Sequence, residues 1–189
     1  MLGTPETEPT GARLHHPGQD RFRAIHSEDV QWRPFPAFPP EARLAILVGD
    51  PAKAGPYVIR VKLPAGTKMM PHKHPEDRIY TVLSGVFYIG LGEVFDEAKL
   101  LAYAPGSVVV LPGDQPHFHW AKSGEYITQV TAIGPLGLGY IDPANDPRNH
   151  GQSSKTVDPA TGKSGKAHPR HSLAEAKAIA AQSAAAQRP

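Results

Sequence analysis

Between about Ile25 and Pro143 the apolar residues fall in short runs separated by turn residues, with no helical spacing sustained beyond a few positions. Tyr57, Ile59, Val61 and Leu63 alternate with Val58, Arg60 and Lys62, the period of a strand with one face buried. Ala45 to Val48 form a compact run that stops at Gly49-Asp50-Pro51. Ile79 to Leu83 run into Ser84-Gly85, and Val86 to Leu91 resume before Gly92. Ser107 to Leu111 stop at Pro112-Gly113-Asp114. His117 to Trp120 and Tyr126 to Ile133 complete the series, with turn residues at Lys122-Ser123-Gly124 and Gly134-Pro135. Short strands about every ten residues predict an all-β sandwich or barrel. Only Phe95 to Leu101 suggests a helical turn.

Composition agrees and narrows the class. The chain of 189 residues carries 21 prolines and 18 glycines, about a fifth of its length. That density is incompatible with a helical bundle or coiled coil. There are no cysteines, which removes disulfide frameworks, thiolate metal sites and cysteine nucleophiles. The length suits one buried domain plus appendages.

The formal net charge is +2, but it is unevenly placed. From Asn145 onward there are seven Lys/Arg against three Asp/Glu, whereas residues 1–144 hold thirteen against fifteen. The basic surplus belongs to the tail, and a mildly acidic body argues against nucleic acid as a partner. Residues 1–24 read as a disordered arm, and 144–189 as a flexible basic tail. Within that tail Ser172-Leu173-Ala174-Glu175 forms a capping box ahead of an alanine-rich run, so a short helix is expected over 172–186. No signal-peptide core and no apolar stretch of membrane-spanning length is present, so no membrane association is expected and the cytoplasm is the expected location.

Four histidines fall inside the β region as two pairs, His72 with His74 and His117 with His119. Residues two apart on extended backbone project from one face. Neutral imidazole binds Fe, Zn, Ni and Cu well. One such pair is more often a surface or hydrogen-bonded feature than a ligand set. Two pairs beside turns in an all-β chain favour a shared ion.

The stretch Gly66-Thr67-Lys68-Met69-Met70-Pro71-His72-Lys73-His74, ending at Gly85, resembles the first motif of the cupin superfamily. Gly106 to Leu111 followed by Pro112-Gly113-Asp114-Gln115-Pro116-His117 resembles the second. Val30 to Pro36 and Gly49-Asp50-Pro51 are similar to the start of the zinc-binding anti-sigma-factor cupin module. The resemblance covers roughly residues 28–140. It implies a single cupin-type double-stranded β-helix (jelly-roll) barrel over 25–143 with a metal pocket inside. Carried over by position, it implies His72, His74 and His117 as ligands of one divalent transition metal (Fe, Zn, Ni or Mn, with Fe or Zn favoured).

The family's usual glutamate ligand falls on Arg78, where a cation cannot ligate. Three readings compete: a three-histidine site, as in cupin dioxygenases; a re-registered turn in which Glu76 or Asp77 supplies the oxygen; or no metal, with Arg78 paired to one of those carboxylates. The unbroken strand spacing from Ile79 to Gly85 favours the first. His119 shares the parity of His117 and is equally suited to ligation or to packing. Arg78 and Tyr80, if inward, suit an acidic group and are the candidate catalytic residues. Gln129, on a late strand, is a candidate for the same cavity.

The resulting expectation is a mononuclear metal oxygenase acting on a small anionic or dicarbonyl compound. The alternative is a non-catalytic zinc-holding sensor or ligand-binding domain. An acid–base isomerase fits least, because no carboxylate is clearly inward. Uncovered sheet edges make a homodimer the expected assembly.

Overall fold

The computed structural model describes residues 22–149. Residues 1–21 and 150–189 lie outside the described residues, and with them most of the expected arm and tail and the whole expected helix at 172–186. The ten strands are β1 Arg43–Val48, β2 Gly55–Leu63, β3 Lys68–Lys73, β4 Arg78–Ser84, β5 Phe87–Leu91, β6 Leu101–Tyr103, β7 Val108–Leu111, β8 His117–Trp120, β9 Tyr126–Gly134 and β10 Gly139–Tyr140. They form two five-stranded sheets, ordered β1-β2-β9-β4-β7 and β10-β3-β8-β5-β6. Every pairing is antiparallel. The all-β expectation holds, and the arrangement is a jelly-roll barrel.

β2 follows its sequence pattern closely. Tyr57, Ile59, Val61 and Leu63 are buried, while Val58, Arg60 and Lys62 turn to the other face. They pack with Val82, Phe87, Tyr126 and Val130 in one core between the sheets. Full burial of such a side chain contributes roughly 2 kcal/mol. A smaller cluster covers the outer face of β1, where Val30 packs with Ala45 and Leu47, and Trp32 lies against it. The Lys62 ammonium sits 4.4 Å over the Trp32 ring, and Arg33 pairs with Leu44. The lead-in around Val30 to Pro36 thus covers one sheet rather than trailing free.

Two features are drawn more finely in the structure. The helical turn expected over Phe95–Leu101 shrinks to a single 3-10 turn, Glu97–Lys99, capped by the Asp96 carboxylate, which accepts from the Ala98 N–H at 3.0 Å. Leu101 already belongs to β6. The chain also stays engaged past Pro143: Arg148 donates to the Leu138 carbonyl at 3.0 Å and ion-pairs with Asp146.

The β4–β5 connection shows why one glycine is obligatory. Gly85 has φ of 69°, and a Cβ there would collide with the backbone at Glu125 and Tyr126. That close approach brings β9 against β4 and sets which β4 residues face inward. Arg78, Tyr80 and Val82 are buried, whereas Ile79, Leu83 and Ser84 are exposed.

Candidate metal centre

β3 and β8 are neighbours in the second sheet, with His72 opposite His117 and Met69 opposite His119. This register gathers the two sequence-distant pairs. His72, His74, His117 and His119 are all buried. The ring centroids of His72 and His117 are 4.2 Å apart, and those of His72 and His74 are 5.0 Å apart. His119 lies 5.0 Å from His117 and 5.3 Å from His72. His72, His117 and His119 each present a ring nitrogen within 4.8 Å of the others, spacing suited to a single ion. His74 stands just beside this set, 5.2 Å from His117.

Hydrogen bonding fixes the tautomers. The Nδ1 of His72 lies 2.7 Å from the Met70 carbonyl, that of His74 2.6 Å from the Gly137 carbonyl, and that of His117 2.9 Å from the Gln115 carbonyl. A carbonyl only accepts, so each Nδ1 carries the proton, and in a neutral ring Nε2 keeps its lone pair. The Nε2 atoms of His72, His117 and His119 are buried without a hydrogen-bond partner. Buried polar atoms are rarely orphaned. Imidazoles oriented through Nδ1 by a backbone carbonyl, with Nε2 bare, are what metal ligation uses. Burial also holds all four rings neutral. The pKa of His117 is lowered to about 4, and those of His72, His74 and His119 are pushed further below the ordinary value, in each case chiefly by burial. The histidine cluster therefore fits a metal ion.

Arg78 is 2% exposed and faces the same cavity. Its Nε and Nη2 donate to one oxygen of Glu76, at 3.0 and 2.5 Å. The same Oε1 accepts from the Tyr57 hydroxyl at 2.8 Å, and Oε2 accepts from the Gly137 N–H at 3.1 Å. The Glu76 carboxylate is thus saturated by β2, β4 and the segment after β9. The turn residue Asp77 is exposed and accepts from the Gly113 N–H at 2.6 Å. Gly137 occupies a tight position, since a Cβ there would stand 2.6 Å from the Pro75 ring. Its N–H meets Glu76 and its carbonyl meets His74, so one residue's backbone couples the ion pair to the histidine cluster.

Tyr80 is fully buried, and its ring stacks on Phe87 and meets His119 edge-on. Its hydroxyl makes no hydrogen bond of ordinary geometry. The cavity is walled by Phe38, Val61, Leu63 and Met69, with Tyr126 and Thr128 beside the polar groups. The free space is about 10 Å³, room for roughly one water molecule or ion.

Gln129 is not part of this site. Along β9, Tyr126, Thr128, Val130 and Ala132 are buried, so Gln129 has the opposite parity. Its side-chain oxygen accepts from Arg60 Nε at 3.2 Å on the outer face of the sheet. Thr128 takes the inward place, and Tyr126 adds a hydroxyl 3.4 Å from His119 Nδ1. Neither was singled out in the sequence, because β9 has apolar residues at both parities.

A neutral histidine cluster inside an antiparallel jelly-roll barrel defines a candidate metal-binding domain of the cupin type. Residues 20–109 match the family described as the ChrR cupin-like domain. Among solved structures the chain is similar to the polyketide cyclase RemF from Streptomyces resistomycificus, at 18% identity and a TM-score of 0.55, over 71% of this chain and 95% of that one. It is also similar to KdgF from Halomonas sp., at 21% identity and a TM-score of 0.46, over 57% and 91% of the two chains. DMSP lyase DddQ from Ruegeria pomeroyi DSS-3 matches at 22% identity and a TM-score of 0.49, over 59% of this chain and 61% of that one. No curated protein matches the sequence. The family match spans a little under half of the chain, and the barrel shares its fold with the polyketide cyclase structure. Among the described residues no helix is long and apolar enough to cross a membrane.

Proposed function

We propose that this cupin holds one divalent transition metal, iron or zinc in preference to nickel or manganese, through His72, His74 and His117, with His119 as a further donor. The observation that carries the reading is the set of buried, unpartnered Nε2 atoms on His72, His117 and His119. When bound, a redox-active ion on neutral nitrogen donors supplies open coordination positions for a small anionic or dicarbonyl compound and for dioxygen. On this reading the centre is a mononuclear oxygenase. Arg78 and Tyr80 serve as the groups that receive the acidic end of its substrate. Glu76 acts as the counter-ion that makes a guanidinium tolerable at that depth. Anaerobic loading with Fe(II), followed by oxygen uptake over a panel of β-dicarbonyl compounds and 2-oxo acids, tests it. Uptake strictly dependent on iron and on one compound class supports the reading. No uptake from fully loaded protein overturns it.

A second reading, a zinc-holding sensor or ligand-binding domain without turnover, draws on two observations. One is the match to the ChrR cupin-like domain. The other is the narrowness of the cavity, which leaves no space for an organic molecule beside an ion unless the wall moves. Retention of Zn(II) against excess Fe(II) distinguishes it from the oxygenase reading. For assembly, we place a homodimer on the edge strand β7, where Val108 and Val110 are 58% and 68% exposed. A monomeric mass in light scattering overturns that placement.

A further inference from the structure

The segment before β1 reaches back over the barrel. Arg33 and Leu44 exchange two backbone hydrogen bonds, at 2.9 and 2.8 Å, so the residues between them form a loop closed at its base. Its sequence, Pro34-Phe35-Pro36-Ala37-Phe38-Pro39-Pro40-Glu41-Ala42, holds four prolines, which have no N–H to bond the barrel. Pro34, Pro36, Pro40 and Glu41 are exposed, whereas Phe38 is 4% exposed and lines the histidine cavity. The other lining residues lie on β2, β3, β4, β8 and β9 or, for His74, just beyond β3. Phe38 is thus the one wall residue that is not part of the barrel. Phe35 braces its ring edge-on at 4.9 Å. Among the described residues, one hydrogen bond ties the loop to a strand distant in sequence: the Tyr140 hydroxyl donates to the Ala37 carbonyl at 2.9 Å. Tyr140 stands on β10 opposite His72, so this tie adjoins the histidine cluster. Arg43, which donates to the Pro40 and Ala42 carbonyls at 2.6 and 2.7 Å, fastens only the base of the loop.

We propose that residues 34–42 are a hinged cover on the histidine cavity, with Phe38 as its plug and Tyr140 as its latch. The free space of about 10 Å³ suits a water molecule or an ion, so an organic molecule enters only when the Phe38 ring has swung out. Opening breaks the Tyr140 hydrogen bond and brings chiefly one phenyl ring into water, while both sheets keep their ladders. Its cost is therefore a small part of the cost of unfolding, which makes the loop a local opening unit. The cover goes beyond the metal reading: it governs access to the cavity and stands whichever ligand the histidines take. Phe38 decides by size what reaches the histidines, and Tyr140 is a positioning residue for the loop.

The chain has no cysteine, so one introduced thiol reports on one position. Thr128→Cys puts a thiol on the cavity wall, and Ala121→Cys puts one in the core away from it, at positions 1% and 0% exposed. Both full-length, metal-free proteins are treated with iodoacetamide, itself a small organic molecule, and alkylation is followed by mass spectrometry. The cavity thiol is expected to react more slowly than a free thiol, yet at least about tenfold faster than the Ala121→Cys thiol, which waits for global unfolding. Adding Tyr140→Phe is expected to speed the cavity thiol roughly three- to tenfold, the worth of one hydrogen bond. Adding Phe38→Ala is expected to speed it by more than that factor and to widen its lead over the Ala121→Cys thiol, because the entry then stands open without loop motion. If Phe38→Ala does not fold, Phe38→Leu takes its place, with a change in the same direction. Equal rates for the two thiols in the otherwise unaltered chain, or a cavity thiol as fast as a free one, overturn the cover. A cavity rate unchanged by Tyr140→Phe overturns the latch, and one unchanged by the Phe38 substitution overturns the plug. With no ion present, these outcomes leave the metal reading to be decided separately by metal content.

Discussion

Replacing Glu76 with alanine isolates the ion pair that stands where the family's carboxylate ligand is expected. The Arg78 and Glu76 side chains are 3% and 8% exposed, so solvent screens the pair little. Removing the carboxylate leaves a buried guanidinium without a counter-charge, and deprives the Tyr57 hydroxyl and the Gly137 N–H of their acceptor. Breaking a buried pair from one side costs about 3–5 kcal/mol. For a domain of this size each kcal/mol lowers Tm by roughly 3–5 °C, so Glu76→Ala is expected to melt about 10–20 °C below the parent. A companion variant, Glu76→Gln/Arg78→Met, removes both charges and keeps similar volumes. It is expected to regain most of that loss, because no unpaired charge remains. Thermal unfolding followed by circular dichroism on metal-free protein reads both. A Tm for Glu76→Ala within about 2 °C of the parent, or a double variant no better than the single, would refute the account of Arg78 as a buried cation neutralised by Glu76.

Other outcomes follow from the same geometry. Metal-free protein is expected to lose stability as pH falls below about 6.5. The folded-state pKa values of the four histidines are depressed, so the unfolded chain binds more protons in that range. His117 alone, lowered from 6.5 to about 4, accounts for roughly 3 kcal/mol between those pH values, and denaturant melts at several pH values check the slope. Gly137→Ala puts a Cβ 2.6 Å from the Pro75 ring and is expected to cost about 1–3 kcal/mol. It is also expected to weaken metal retention by disturbing His74, which equilibrium dialysis against a chelator would show. Gln129→Ala, on the outer sheet face, is expected to leave metal content unchanged.

The two histidine pairs were legible because a spacing of two on a strand is a statement about facing, and it survives any uncertainty in topology. β2 was legible for the same reason, since its polar positions Arg60 and Lys62 mark the outer face. β9 was not. Ile127 and Ile133 point outward and Val130 and Ala132 inward, so its apolar pattern does not distinguish the faces, and Gln129 was put on the wrong one. The register is set instead by the close backbone approach at Gly85, a tertiary contact. The pairing of Arg78 with a neighbouring carboxylate was visible as one alternative in the sequence. The parts of that network contributed by Tyr57 and Gly137 were not, because β2 and the segment after β9 reach Glu76 only through the fold. Val108 and Val110 belong to an apolar run whose pattern does not reveal its place in the sheet; β7 is an edge strand and exposes both.

The central claim is that the histidine cluster holds a metal, and elemental analysis after anaerobic reconstitution and desalting tests it most directly. The account predicts about one equivalent of a divalent transition metal per chain in the parent protein, and almost none in folded His72→Ala, whose ring is nearest His117 at the centre of the cluster. A parent protein that retains no metal, or a His72→Ala protein that retains as much as the parent, would contradict it.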